Sequence, residues 1–127
     1  MKSFIDLVES LENSFSVVLG VIKALGNKMR FKIMLSLLTG QKSFMDLKFE
    51  TKLQKTALSN HLTILVRKEL IEKPSVGNYK ITQDGELFMR AIDDAYQKSQ
   101  IREKKDIEAL QSGKFSKSFI DSFFGVS

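Results

Sequence analysis

The 127 residues include 43% hydrophobic side chains and ten phenylalanines, sufficient for one hydrophobic core and incompatible with wholesale disorder. The lack of cysteine excludes disulfides, thiolate zinc sites and cysteine-based redox sensing, and no uncharged apolar run reaches membrane-spanning length. Net charge is +5 and sits in the middle: residues 21–83 hold twelve basic side chains against four acidic ones, residues 1–20 one against three, and residues 84–127 seven against eight.

In chain order, "MKSFIDLVES" reaches acidic residues at once, unlike a secretory signal, so the expected compartment is the cytoplasm. Phe4, Val8, Leu11, Phe15, Val18 and Ile22 recur at steps of four and three, a heptad seam along which one helix packs lengthwise on another. Asn13, Ser14 and Gly20 are the points where such a helix would break. The seam is long for so small a domain and reads as an intersubunit surface rather than plain core. Gly26 and Asn27 then stop one helix and cap the next, whose apolar face is expected at Phe31, Met34, Leu35 and Leu38, with Gly40 closing it. Ser43 and Asp46 have cap-and-acid spacing ahead of a short helix with Phe44 and Leu47 inward.

Leu53 to Lys55 reads as a turn, with Thr56 as N-cap of "TALSNHLTILVRKEL". This helix has two faces. Leu58, Leu62 and Leu65 fall at i, i+4 and i+7 inside, while Thr56, Ser59, Asn60, Thr63 and Arg67 line the solvent side. In "LIEKPSVGNYKIT" the pattern becomes that of a two-stranded hairpin, with Pro74 stopping the helix and Gly77 and Asn78 taking positive φ in the turn. From Thr82 and Asp84 one long helix is expected, apolar at Leu87, Phe88, Ala91, Ile92, Ala95 and Tyr96 and thinner at Ile101, Ile107 and Leu110. Phe115, Phe119 and Phe123 would mark a last amphipathic helix; with Asp121 among them, folding back onto a dimer is favoured over an interfacial membrane anchor.

Helix, short helix, polar-faced helix and basic hairpin, in that order, make a winged helix-turn-helix, mainly α with a small β-hairpin (α+β). The B-DNA major groove admits one α-helix, whose N-terminal half must offer short hydrogen-bonding side chains to base edges. Lys55, Thr56, Ser59, Asn60 and Thr63 are therefore the candidate base contacts. Asn60 carries the amide that pairs bidentately with adenine, and Lys55 reaches guanine or a phosphate. Lys42, Lys48, Lys52 and Arg67 are candidate phosphate contacts, and Lys73, Asn78 and Lys80 bring the hairpin to the backbone or the adjacent minor groove. Lysines that only solvate helix surfaces yield the same charge count, so the charge argues for DNA only beside the two-faced helix.

Three stretches, "KALGNKMRFKIMLSLL", "TALSNHLTILVRKELIEK" and "YKITQDGELF", resemble ArsR-type winged-helix repressors and their archaeal relatives. Ala24-Leu25-Gly26-Asn27 with Arg30 three on, Ser59-x-His61-Leu62-x-x-Leu65 and Tyr79-x-Ile81-Thr82-x-x-Gly85 carry the likeness across residues 23–90. The resemblance implies a homodimer whose terminal helices build the interface and whose two recognition helices read a pseudo-palindrome, with base contacts at Thr56, Ser59 and Asn60. Interface side chains are then Phe4, Val8, Leu11, Phe15, Val18 and Tyr96. Metal-sensing members use cysteine pairs, or Asp/His/Glu sets on the last long helix. This chain has no Cys and its one His lies in the recognition helix, so DNA binding and dimerisation carry over and metal sensing does not. The hairpin is also shorter than the family's.

The expected organisation is a dimerisation helix at 1–22, a DNA-binding domain at 23–90, and a helix with a Phe-rich tail at 91–127. No metal, cofactor or membrane partner is expected, and no residue nominates a small-molecule effector. His61 beside Leu62 reads as a packing residue with one satisfied hydrogen bond, rather than a ligand or pH switch. Asp93 and Asp94 diverge by roughly 100° on a helix and read as a solvated face rather than a cation site. Enzyme chemistry has no support: there is no Cys, no His–acid pair in sequence reach and no glycine-rich phosphate loop. Double-stranded DNA and a second copy of the chain are the expected partners. Two alternatives stay open: an architectural, weakly selective DNA-coating protein, and a winged-helix protein-interaction module.

Overall fold

The computed structural model describes residues 1–113; the expected helix around Phe115, Phe119 and Phe123 lies outside the described residues. The elements are α1 (Phe4–Asn13), α2 (Phe15–Leu25), α3 (Lys28–Leu38), β1 (Lys42–Ser43), α4 (Phe44–Thr51), α5 (Lys55–Arg67), β2 (Ile71–Ser75), β3 (Asn78–Ile81), α6 (Gln83–Gln97) and α7 (Gln100–Ser112). This is the mainly helical winged helix-turn-helix that the element order predicts. The described residues fall into two compact units, Met1–Phe88 and a second that begins at Met89.

In the first unit the helical seam of residues 4–22 is broken. The break falls at Ser14, whose hydroxyl and backbone amide both donate to the Ser10 carbonyl, at 2.9 and 3.2 Å, and which ends α1 and precedes α2. Gly20 does not interrupt α2. Asn27 caps α3 as expected, its side-chain oxygen accepting from the Met29 and Arg30 amides at 3.0 and 3.1 Å. The buried face of α3 is Ile33, Met34 and Leu37; of the expected Phe31, Met34, Leu35 and Leu38, only Met34 is fully buried. That helix is apolar on several sides, so its own period does not select a face. Its packing against α2, α4, α5 and β3 does, leaving Leu35 and Leu38 exposed.

The Ser43–Asp46 capping box opens α4, with Leu47 buried beneath it. One strand escaped the sequence pattern. Two-residue β1 adds to the hairpin in the antiparallel order β1-β3-β2, with Lys42 opposite Tyr79 and Ser43 opposite Asn78. A strand this short has no readable alternation. Gly77 alone takes positive φ in the turn, at +75°. Asn78 instead belongs to the ladder, opposite Ser75, and its amide donates to the Ser75 hydroxyl at 2.8 Å. Pro74 lies within β2 rather than ending a helix, at the irregularity between Glu72 and Ser75, where a missing N–H costs the ladder nothing.

The base of the hairpin is tied to the end of α5. Thr82 donates its hydroxyl to the Glu69 carbonyl at 2.6 Å and accepts from the Gly85 amide at 3.0 Å. A Cβ on Gly85 would collide with the Leu70 carbonyl oxygen, so this close approach requires glycine.

The single long helix expected from Thr82 onward is two, α6 and α7. At the break the Ser99 hydroxyl donates to the Tyr96 carbonyl at 2.6 Å and its oxygen accepts from the Arg102 amide at 3.2 Å, N-capping α7. Ile101, Ile107 and Leu110 are exposed on α7. Among the described residues no helix is long and apolar enough to cross a membrane.

Candidate nucleic-acid interface

The helix α5 is held by one row of side chains and displays another. Leu58, Leu62 and Leu65 are at most 1% exposed, and each buried leucine contributes about 1.5–3 kcal/mol of transfer free energy. Lys55, Thr56, Ser59, Asn60, Thr63 and Arg67 are all exposed. The structure therefore brings the five predicted base-contact side chains to one surface, with Arg67 at its C-terminal end. The N-cap differs from expectation: it is Gln54, which makes no side-chain cap bond, and Thr56 lies one residue inside the helix. No acid sits in the first turn, so the positive end of the helix dipole is neutralised by no carboxylate there and Lys55 adds to it.

The turn between α4 and α5 carries Lys52, the C-cap of α4, in the left-handed conformation at φ 60°. For a residue with a Cβ this region costs about 1–2 kcal/mol. Thr51 steadies the turn: its hydroxyl donates to the Leu47 carbonyl at 2.7 Å and accepts from the Leu53 amide at 3.3 Å.

The other predicted phosphate and wing contacts are dispersed. Lys42, on β1, pairs with Glu50 at 3.0 Å, and Glu50 also accepts from the Ser36 hydroxyl. Lys80 pairs with Glu72 at 3.4 Å; such exposed pairs are worth about 0–1 kcal/mol and yield easily to a competing phosphate. The Lys73 ammonium lies 5.4 Å from the centroid of the Tyr79 ring, a cation–π contact. Lys48 is half-buried on α4, and Asn78 is engaged with Ser75 as described above.

Two carboxylates of α4 are held ionised. Hydrogen bonds from Ser43 lower the Asp46 pKa, with Lys42 adding a smaller pull. Hydrogen bonds from Ser36 and then Lys42 lower that of Glu50. For His61, burial and then the Arg30 charge push the pKa below its ordinary value. Arg30 Nη1 lies 3.2 Å from His61 Nδ1. A guanidinium only donates, so Nδ1 accepts and the neutral ring carries its proton on Nε2. The expected packing role of His61 with one hydrogen bond is what the structure shows. Its partner was not legible beforehand, because Arg30 is 31 residues away and no local period links them.

The side chains expected at a dimer interface are at the surface of the chain. Phe4 and Phe15 are 85% and 63% exposed, Val8 and Leu11 are exposed, Val18 is half-buried, and α1 buries no residue at all. Tyr96, on α6, is also exposed. Among the described residues no group of three or more His, Cys, Asp or Glu side chains is placed to hold a metal ion.

Residues 27–73, from the α3 cap through α4 and α5 into β2, match the model of the bacterial regulatory protein, arsR family. No curated protein matches the chain. Among solved structures it is similar to HlyU from Vibrio cholerae, with a TM-score of 0.58 and 23% identity over 68% of this chain and 99% of that one. The transcriptional repressor BigR from Xylella fastidiosa aligns at 0.57 and 20%, over 70% of this chain and 92% of BigR. A homodimeric winged helix-turn-helix DNA-binding domain from Mycobacterium bovis, a possible ArsR-family transcriptional regulator, aligns at 0.59 and 20%, covering 80% and 93%. The matches are to regulators rather than enzymes. This chain has the winged helix-turn-helix fold of ArsR-family transcriptional regulators, and residues 27–73 are the segment that matches the family.

Proposed function

We propose that the chain is a homodimeric, sequence-specific DNA-binding transcriptional regulator of the cytoplasm, acting as a repressor without a metal cofactor. The observation that carries this reading is the division of α5 into a sealed leucine row and an exposed polar row. Short hydrogen-bonding side chains at the N-terminal half of an exposed helix fit the major groove. In this reading Lys55, Thr56, Ser59, Asn60 and Thr63 contact bases, and Lys42, Lys48, Lys52, Arg67, Lys73, Asn78 and Lys80 contact the backbone or the minor groove. A phosphate displaces Glu50 and Glu72 from their lysines. Residues 23–90 form the DNA-binding part, and residues 1–22 and 91–127 serve assembly.

Dimerisation is supported by the exposed apolar row of α1 and α2 and by the homodimeric Mycobacterium bovis domain of the same fold. Phenylalanines this exposed leave a large apolar surface in water unless a partner covers it. Selection of bound duplexes from a random DNA pool tests the whole reading. A single enriched short palindrome is expected, with affinity falling steeply as salt rises, because several phosphates per protomer release counterions. A pool with no enriched site despite tight binding would instead favour an architectural coating protein, which sixteen lysines against four arginines also suit, since lysine acts as a point charge rather than a bidentate reader.

A further inference from the structure

The leucine row sets how deep α5 sits, but apolar contacts are non-directional and tolerate a roll of the helix about its axis. A base-reading amide tolerates little. A side chain ends about 6 Å from the helix axis, so a roll of about 10° displaces it by about 1 Å, enough to degrade a hydrogen bond. Packing on α3, α4 and β2 fixes the roll coarsely; a directional contact fixes it finely.

Arg30 is built to be that contact. Its backbone amide is held by the Asn27 cap at 3.1 Å. Its Nε donates to the Ala24 carbonyl at 2.8 Å and Nη2 to the Lys23 carbonyl at 3.3 Å, closing carbonyls in the last turn of α2 that the helix itself leaves open. The third arm, Nη1, reaches His61 Nδ1, next in sequence to Asn60. One planar, rigid group thus spans the end of α2, the start of α3 and the middle of α5.

We propose that Arg30 and His61 form a positioning pair that sets the rotation of α5, and with it the aim of Asn60 and Ser59, from the C-terminus of α2. The inference rests on α5 being the DNA-reading helix. Since α2 also bears part of the exposed apolar row, the pair joins the assembly surface directly to the reading surface.

The test compares full-length variants on the duplex enriched from the random pool and on a scrambled duplex of equal length. Arg30→Gln and His61→Leu should each cut the ratio of enriched-site to scrambled affinity by about tenfold, the scale of one charge-assisted hydrogen bond. His61→Asn keeps an acceptor at the Nδ1 position and should restore most of the ratio. A variant that is only partly folded loses active protein on both duplexes alike and leaves the ratio unchanged. An unchanged ratio in Arg30→Gln and His61→Leu, or a His61→Asn no better than His61→Leu, overturns the pair while α5 remains the reader. A parent protein that binds both duplexes equally overturns the reading of α5 as well.

Discussion

Two helices of this chain are amphipathic for opposite ends. In α5 the apolar row is sealed inside the chain, with Leu58, Leu62 and Leu65 beneath the surface, and the polar row is what remains to act. In α1 the apolar row of Phe4, Val8 and Leu11 is what remains outside, and nothing in that helix is buried. Patterning is the same kind of signal in both. The difference is whether the fold itself supplies a surface to receive it. A satisfied apolar face leaves its polar side free for a ligand, whereas an unsatisfied one asks for a second surface.

Substitutions on the two helices should therefore fail differently. Leu62→Ala removes a sealed core side chain, and unfolding by urea should show a loss of about 2–5 kcal/mol. Phe4→Asp with Phe15→Asp should leave each subunit folded yet shift sedimentation from dimer to monomer. An unaltered dimer would remove α1 and α2 from the interface. Asn60→Ala should leave stability within about 0.5 kcal/mol and cost about 1–3 kcal/mol of discrimination at one base position of the enriched site.

Lys52→Gly separates stability from binding within the turn that leads into α5. Relief of the left-handed backbone should raise stability by about 1 kcal/mol. Loss of a phosphate contact should weaken all duplexes alike and reduce the salt slope by about one per protomer. An affinity that follows the gain in stability would take Lys52 out of the DNA contact.

The smallest effect is with pH. The folded-state pKa of His61 lies below the ordinary 6.5, so the unfolded chain takes up its proton first. The His61 contribution to stability is present above pH 6.5 and is lost as pH falls through the lowered folded-state value. His61→Asn should flatten that limb in a series of melting curves. Asp46 and Glu50 are lowered from 3.8 and 4.5, so their contribution is present above those values and is lost on further acidification. That second limb should survive in His61→Asn.

Much of the architecture is legible in the sequence wherever a rule acts over one or two helical turns. The Asn27 cap, the Ser43–Asp46 box, the leucine row of α5 and the positive φ of Gly77 are all of this kind. Each depends on neighbours within a few residues, and local sterics and hydrogen bonding determine them. Two misreadings are local as well. The break at Ser99 and the Gln54 cap were choices among several nearby polar residues that propensity ranks as nearly equal.

By itself the sequence determined the order of helix, short helix, polar-faced helix and hairpin, the two faces of α5 and the basic middle, because periodicity and charge are properties of the chain alone. Only the tertiary structure decided which side of α3 is buried, that β1 joins β3, and that Arg30 meets both the end of α2 and His61. Those outcomes depend on contacts between residues far apart in the chain. There the competing arrangements have equal local merit, and close packing of the assembled core chooses among them.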